Sequence, residues 1–129
     1  MVDFDLNVFK KVDEICGSLV IAIFWNPETG EEKHETVRDY DYFDLSRDND
    51  ELYNMRIDQD ARIQWLHSRG VILEGDTVEI FKGRKFPKGT IKKVRKIYPF
   101  KDKYRRWIAD YAYFEDGTKC NVANCRLIS

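Results

Sequence analysis

Between Phe81 and Trp107 the chain carries a dense run of cations, Lys82, Arg84, Lys85, Lys88, Lys92, Lys93, Arg95, Lys96, Lys101, Lys103, Arg105 and Arg106, opposed by Asp102 alone. Six rings, Phe81, Phe86, Tyr98, Phe100, Tyr104 and Trp107, are interleaved with them. Clustered cations neutralise phosphates and release counterions, and exposed rings beside them stack on bases. The residues expected to do this are Lys82, Arg84, Lys85, Phe86 and Lys88 on one turn, with Tyr98, Lys101, Lys103, Tyr104, Arg105, Arg106 and Trp107 in and around the next. Phosphate contacts would fall to Lys85, Lys88, Lys101, Lys103, Arg105 and Arg106, and stacking to Phe86, Tyr98, Tyr104 and Trp107. The reading requires both turns to sit at one rim. A solvated face, cations paired with acids of the same chain, and rings closing a core are the competing uses of the same residues.

Other constellations carry less. Asp39, Tyr40, Asp41, Tyr42, Phe43 and Asp44 alternate acid with aromatic. Close carboxylates can hold a divalent metal, but capping and solvation are commoner uses, and no metal site is expected here. Cys16, Cys120 and Cys125, with His34 and His67, lack the two close ligand pairs of a zinc site and read as reduced core thiols. Lys88-Gly89-Thr90 lacks the glycine pattern of a phosphate loop. No catalytic residue and no cofactor is expected.

The elements that must position the basic stretch follow from periodicity. Leu6, Phe9, Val12 and Cys16 fall at helical spacing after Asp5, an N-cap residue, and before Gly17, which predicts a helix over 5–16. Residues 18–25, SLVIAIFW, read as a buried strand. Asn26-Pro27-Glu28-Thr29-Gly30 is a turn, and the charged residues 31–38 return as an edge strand. Residues 46–70 read as helix in one or two pieces, capped by Ser46, Asp48 or Asp50, with Asp58 able to start a second piece. Ile57, Ala61, Trp65 and Leu66 would face a core. Short strands are predicted at 77–82, 89–97, 107–114, 118–122 and 126–128, with a hairpin turn at Glu115-Asp116-Gly117 and a single helical turn at 123–125.

Gly75-Asp76, Val78, Ile80, Gly83, Gly89 and Val94 resemble the KOW-type element of small SH3-like barrels. The resemblance implies a barrel over 71–129, binding of RNA or protein through loops and the exposed barrel face, and no catalysis. The fold expected is therefore α+β: an N-terminal helix–hairpin–helix unit over 1–70, followed by a five-stranded SH3-like β-barrel over 71–129. The two halves differ in charge, with 8 Lys/Arg against 16 Asp/Glu in residues 1–70 and 14 against 7 in residues 71–129. Such asymmetry suits partners of opposite charge, or one half lying against the other. No apolar run approaches the roughly 20 residues needed to span a bilayer, and the acidic start is unlike a secretory signal, so a cytoplasmic location without membrane contact is expected. The expected function is non-catalytic binding of nucleic acid, RNA or single-stranded DNA. The alternative is a protein-interaction or assembly module, including a homo-oligomer, that uses the acidic region and the barrel.

Overall fold

The computed structural model describes residues 2–40 and 48–128. Two compact units divide the chain, Met1–Leu66 and His67–Ser129. The acid–aromatic residues Asp41, Tyr42, Phe43 and Asp44, and the cap residue Ser46, lie outside the described residues.

The first unit is a three-stranded antiparallel meander with two helices. Its strands are β1 (Lys10–Cys16), β2 (Leu19–Trp25) and β3 (Glu32–Asp39), in the order β1-β2-β3. Helices α1 (Asp50–Asn54) and α2 (Gln59–Ser68) follow, the last residues of α2 falling in the second unit. The helix predicted over 5–16 is thus corrected to a tight turn and a strand. Asp5 does cap, but only that turn: its carboxylate accepts from the Asn7 N–H at 2.8 Å, and its carbonyl accepts from the N–H groups of Val8 and Phe9. Pairing with β2 then outweighs the helical spacing. Cys16, taken as part of an apolar stripe, is exposed.

β2 is apolar throughout because both of its faces are covered. Val20, Ala22 and Phe24 join Phe9, Val37 and Leu52 in one cluster. Ile23 and Trp25 join Val12, Ala61 and Trp65 in another. α1 therefore serves one face and α2 the other. Asp58 caps α2, accepting from the Ala61 N–H at 3.0 Å, and the Trp65 indole N–H donates to Glu32 Oε1 at 2.7 Å.

The least expected core residue is Lys11, which is 1% exposed. Its ammonium donates to the carbonyls of Leu52 (2.8 Å), Tyr53 (3.1 Å) and Met55 (2.8 Å), and it pairs with Glu14. Those carbonyls close the end of α1, where a short helix has unsatisfied acceptors and a partial negative charge.

The second unit is a five-stranded antiparallel sheet. Its strands are β4 (Thr77–Ile80), β5 (Thr90–Lys101), β6 (Trp107–Phe114), β7 (Lys119–Asn121) and β8 (Cys125–Leu127), in the order β7-β6-β5-β4-β8. A 3-10 turn, Val122–Asn124, links β7 to β8. All five strands supply side chains to one core, including Val78, Ile80, Val94, Ala112, Phe114, Cys120 and Cys125. The sheet bends over this core but does not close: β7 and β8 are its two edges, and no ladder joins them among the described residues. The expected barrel is corrected accordingly to an open sheet, and the expected helix–hairpin–helix to the strand-rich first unit. Gly83 shows why the β4–β5 turn needs glycine: its φ is +105°, and a Cβ there would stand 3.0 Å from the Asn124 side chain.

Candidate binding surface

β5 is longer than its periodicity predicts. Its partnership with β4 covers Thr90 to Lys93, and beyond Val94 it continues with β6 alone on one flank. Pro99 is tolerated because β5 is by then an edge strand, where a missing N–H costs no ladder bond. From Pro99 and Asp110 outward, β5 and β6 form a two-stranded arm, since β7 reaches only as far as Tyr111.

Strand length and direction decide where the cations stand. β5 pairs antiparallel with both neighbours, so the β4–β5 turn and the β5–β6 turn lie at opposite ends of it. Its 12 residues have a contour of about 36 Å at ~3.3 Å per residue. The expectation of one shared rim is therefore overturned, and with it the reading in which both basic turns grip one ligand together. Lys82, Arg84, Lys85, Phe86 and Lys88 sit at one end; Lys101, Lys103, Tyr104, Arg105, Arg106 and Trp107 sit at the other.

Several residues of the basic stretch have other duties. Phe86 is half-buried against the core, edge-on to Phe114 with centroids 6.2 Å apart, and flanked by Lys85 and Lys92, so it is no free stacking ring. Lys92, Lys93 and Lys96 pair with Asp116, Glu115 and Glu74. Lys92 first, then Thr118, hold the Asp116 carboxyl well below the usual carboxylate range. Lys101, Lys103 and Arg105 have no carboxylate partner among the described residues.

The register builds a surface that the sequence reading only half contained. Tyr98 lies opposite Tyr111, Lys96 opposite Tyr113 and Phe100 opposite Ala109, and cross-strand partners share a face. The opposite face holds Ile97, Ala112 and the core. Tyr98 meets Tyr113 edge-on at 5.4 Å, and Phe100 meets Tyr111 at 5.6 Å. From β7, Lys119 places its ammonium 5.9 Å from the Tyr111 ring centre and 5.7 Å from that of Tyr113. Lys85, from the β4–β5 turn, meets the β7 edge, donating to the Lys119 carbonyl at 3.3 Å. With Tyr111 and Asn121 these two lysines line a hollow of about 280 Å³. Tyr98 and Phe100 remain 53% and 51% exposed, so about half of each ring can still be covered by a ligand. Tyr111, Tyr113 and Lys119 were not among the predicted residues. Their signal was the alternation Tyr111-x-Tyr113 beside Tyr98-x-Phe100 in paired strands.

The arm ends in a turn organised by Asp102. Its carboxylate accepts from the N–H groups of Tyr104 (2.8 Å) and Arg106 (2.9 Å) and from the Arg106 guanidinium (2.8 Å). The backbone N–H of Arg106 foremost, with its guanidinium and the Tyr104 N–H, holds the Asp102 carboxyl below its ordinary value. Arg105 takes φ +63° to complete the turn. A carboxyl with a lowered folded pKa stabilises above its unfolded value, and loses that contribution as pH falls through the folded one. The amide resonances of Tyr104 and Arg106 are therefore expected to move together on acidification below about pH 4, and to stay still in Asp102→Asn. A flat wild-type titration would show that the carboxylate does not hold the turn.

The remaining reactive side chains do not converge. Cys120 and Cys125 are buried in the core; burial first, then the neighbouring Cys120, pushes the Cys125 thiol up to about 12. His34 contacts Glu32 and His67 contacts Asp76. Among the described residues no group of three or more His, Cys, Asp or Glu is placed to hold a metal, and no helix is long and apolar enough to cross a membrane. Asp39 is buried at the end of β3, while Asp41 and Asp44 lie outside the described residues.

No protein-family model, no curated protein and no solved structure matches the chain.

Proposed function

We propose that the chain is a non-catalytic binding module for single-stranded nucleic acid, and that its contact surface is the aromatic face of β5 and β6 with the arm beyond it. One observation carries the reading: Tyr98, Phe100, Tyr111 and Tyr113 stand on one face of two paired strands, with Lys119 across them. Bases of any sequence can stack on such a row, and Lys101, Lys103 and Arg105 are free to follow the phosphates.

Anisotropy of a labelled single-stranded oligonucleotide, titrated at several salt concentrations, tests this. Three phosphate contacts at ~0.7 each give an expected log–log slope of about −2. Lys101→Glu with Lys103→Glu should lower affinity steeply, whereas Lys82→Glu with Lys88→Glu, at the far end of β5, should leave it nearly unchanged. No binding at low salt, or equal loss from both pairs, would reject the proposal.

A protein partner is favoured by one feature, the exposed Ile108 beside the exposed Trp107. Sedimentation of the chain alone decides for the homo-oligomer: a stable dimer abolished by Ile108→Lys would put the arm in a protein interface instead.

A further inference from the structure

The arm has a second side. The register of β5 and β6 slips where Phe100 faces Ala109 but Lys101 faces Trp107, leaving Ile108 as a bulge. A bulge re-aims the side chains that follow it. It turns Trp107 away from the tyrosine row and onto the face of Lys101, Pro99 and Asp110. There the indole N–H donates to Asp110 Oδ1 at 3.1 Å. Asp110 Oδ2 has no partner among the described residues. On the neighbouring flank β7 ends at Asn121 and the chain leaves as a 3-10 turn. The result is a notch of about 340 Å³ walled by Trp107, Ile108, Asp110, Asn121, Val122 and Ala123.

We infer that this notch is a base-reading subsite that takes guanine from a single strand bound on the arm. The inference rests on the nucleic-acid reading above. The walls are an indole and aliphatic carbons, which suit a flat ring. Two polar side chains stand among them: the Asp110 carboxylate, which only accepts hydrogen bonds, and Asn121, whose Oδ1 already accepts from the Ala123 N–H at 2.9 Å and whose amide N–H groups can donate, as to the guanine O6. An occupant facing the carboxylate must present adjacent N–H donors. Guanine alone among the common bases does so, with N1–H beside its N2 amino group. Adenine and cytosine place an acceptor next to their amino group, and uracil flanks its N–H with two carbonyls. A guanidinium has the same donor pair, but Lys101, which has no carboxylate partner among the described residues, shares the notch's face. That positive neighbour disfavours a cation and favours a neutral base attached to phosphates.

The test uses oligouridine carrying one central guanosine, inosine or adenosine, with binding read by anisotropy. Wild type should prefer guanosine over adenosine by about tenfold, with inosine, which lacks the N2 amino group, between them. Asp110→Asn should erase the preference, so that the three oligomers bind alike. A second readout needs no variant and no oligomer: quenching of wild-type tryptophan fluorescence by guanosine monophosphate but not adenosine monophosphate, with Trp107→Phe as the blank. Equal binding of all three oligomers with equal quenching overturns the subsite and leaves the tyrosine face standing. Selective quenching by guanosine monophosphate without oligomer binding keeps the subsite and rejects the tyrosine face. Quenching by arginine amide instead of the nucleotide overturns the subsite in favour of a guanidinium pocket.

Discussion

Replacing Lys11 with methionine is expected to unfold most of the first unit. The methionine fills the stem's volume but leaves the carbonyls of Leu52, Tyr53 and Met55 without their donor, and Glu14 without its cation. Removing one partner from a buried charged network costs about 3–5 kcal/mol. A unit of this size is stable by roughly 3–10 kcal/mol in total, so the loss takes much of it. The effect is local in origin. α1 is a 5-residue helix, far too short to persist without help, and Lys11 supplies donors at its closing end. Lys10 is the control: it is partly exposed and its ammonium meets only the Asn7 carbonyl, so Lys10→Met should change stability by less than about 0.5 kcal/mol. Urea unfolding followed by the fluorescence of Trp25 and Trp65, both buried in this unit, measures both variants. A Lys11→Met midpoint close to wild type would mean that water replaces the ammonium at no great cost, and that α1 is held by Leu52 alone.

Lys11 also shows why the strands of the first unit were harder to read than those of the second, whose closure into a barrel the structure contradicts. Counted as polar, it left Leu6, Phe9, Val12 and Cys16 as the only visible pattern, and that pattern has helical spacing. In the fold Lys11 is a core residue on one face of β1 and Val12 is a core residue on the other, because both faces of the sheet are covered. The register shift between Lys11 and Asp13 sets these two buried residues side by side, so β1 carries no period-two signature. β2 was legible for the opposite reason: a short, wholly apolar run bounded by turn residues admits few other readings. In the second unit the strands, apart from the longer β5, fall close to their predicted places because glycines mark several of their ends. Gly89 and Gly117 both take positive φ in turns that the residue types demand. Closure of the sheet was not legible, since it depends on whether β7 and β8 meet, and three-residue strands have too little pattern to say.

The binding surface was visible as composition and hidden as geometry. Counting cations and rings along 81–107 finds the material but ignores strand direction. In an antiparallel meander successive turns alternate ends, so adjacent basic turns separate as a rule. Tyr111 and Tyr113 escape such a count because no cation stands next to them in sequence. Lys119 reaches them from β7, across the sheet.

Replacing Tyr98 and Tyr111 together with leucine should lower affinity for a single-stranded oligonucleotide at least about 30-fold. One ring is taken from each edge-on pair, so neither Tyr98–Tyr113 nor Phe100–Tyr111 survives intact. Stacking is worth about 1–3 kcal/mol per base, and the lower bound for two rings already gives that factor. Leucine keeps apolar cover on the sheet, so the cost to folding is confined to cross-strand pairs worth roughly 0.2–1 kcal/mol each, and the unit should remain folded. Tyr104→Leu should cost less, because Tyr104 stands at the arm's tip between Lys103 and Arg106 with no second ring beside it. The salt dependence separates the two contributions. Stacking is not electrostatic, so the double variant should bind more weakly with the wild-type slope, whereas Lys101→Glu with Lys103→Glu should flatten the slope itself. Unchanged affinity in Tyr98→Leu with Tyr111→Leu would reduce the aromatic row to cross-strand packing. The cations at Lys101, Lys103 and Arg105 would then have no bases to hold in register.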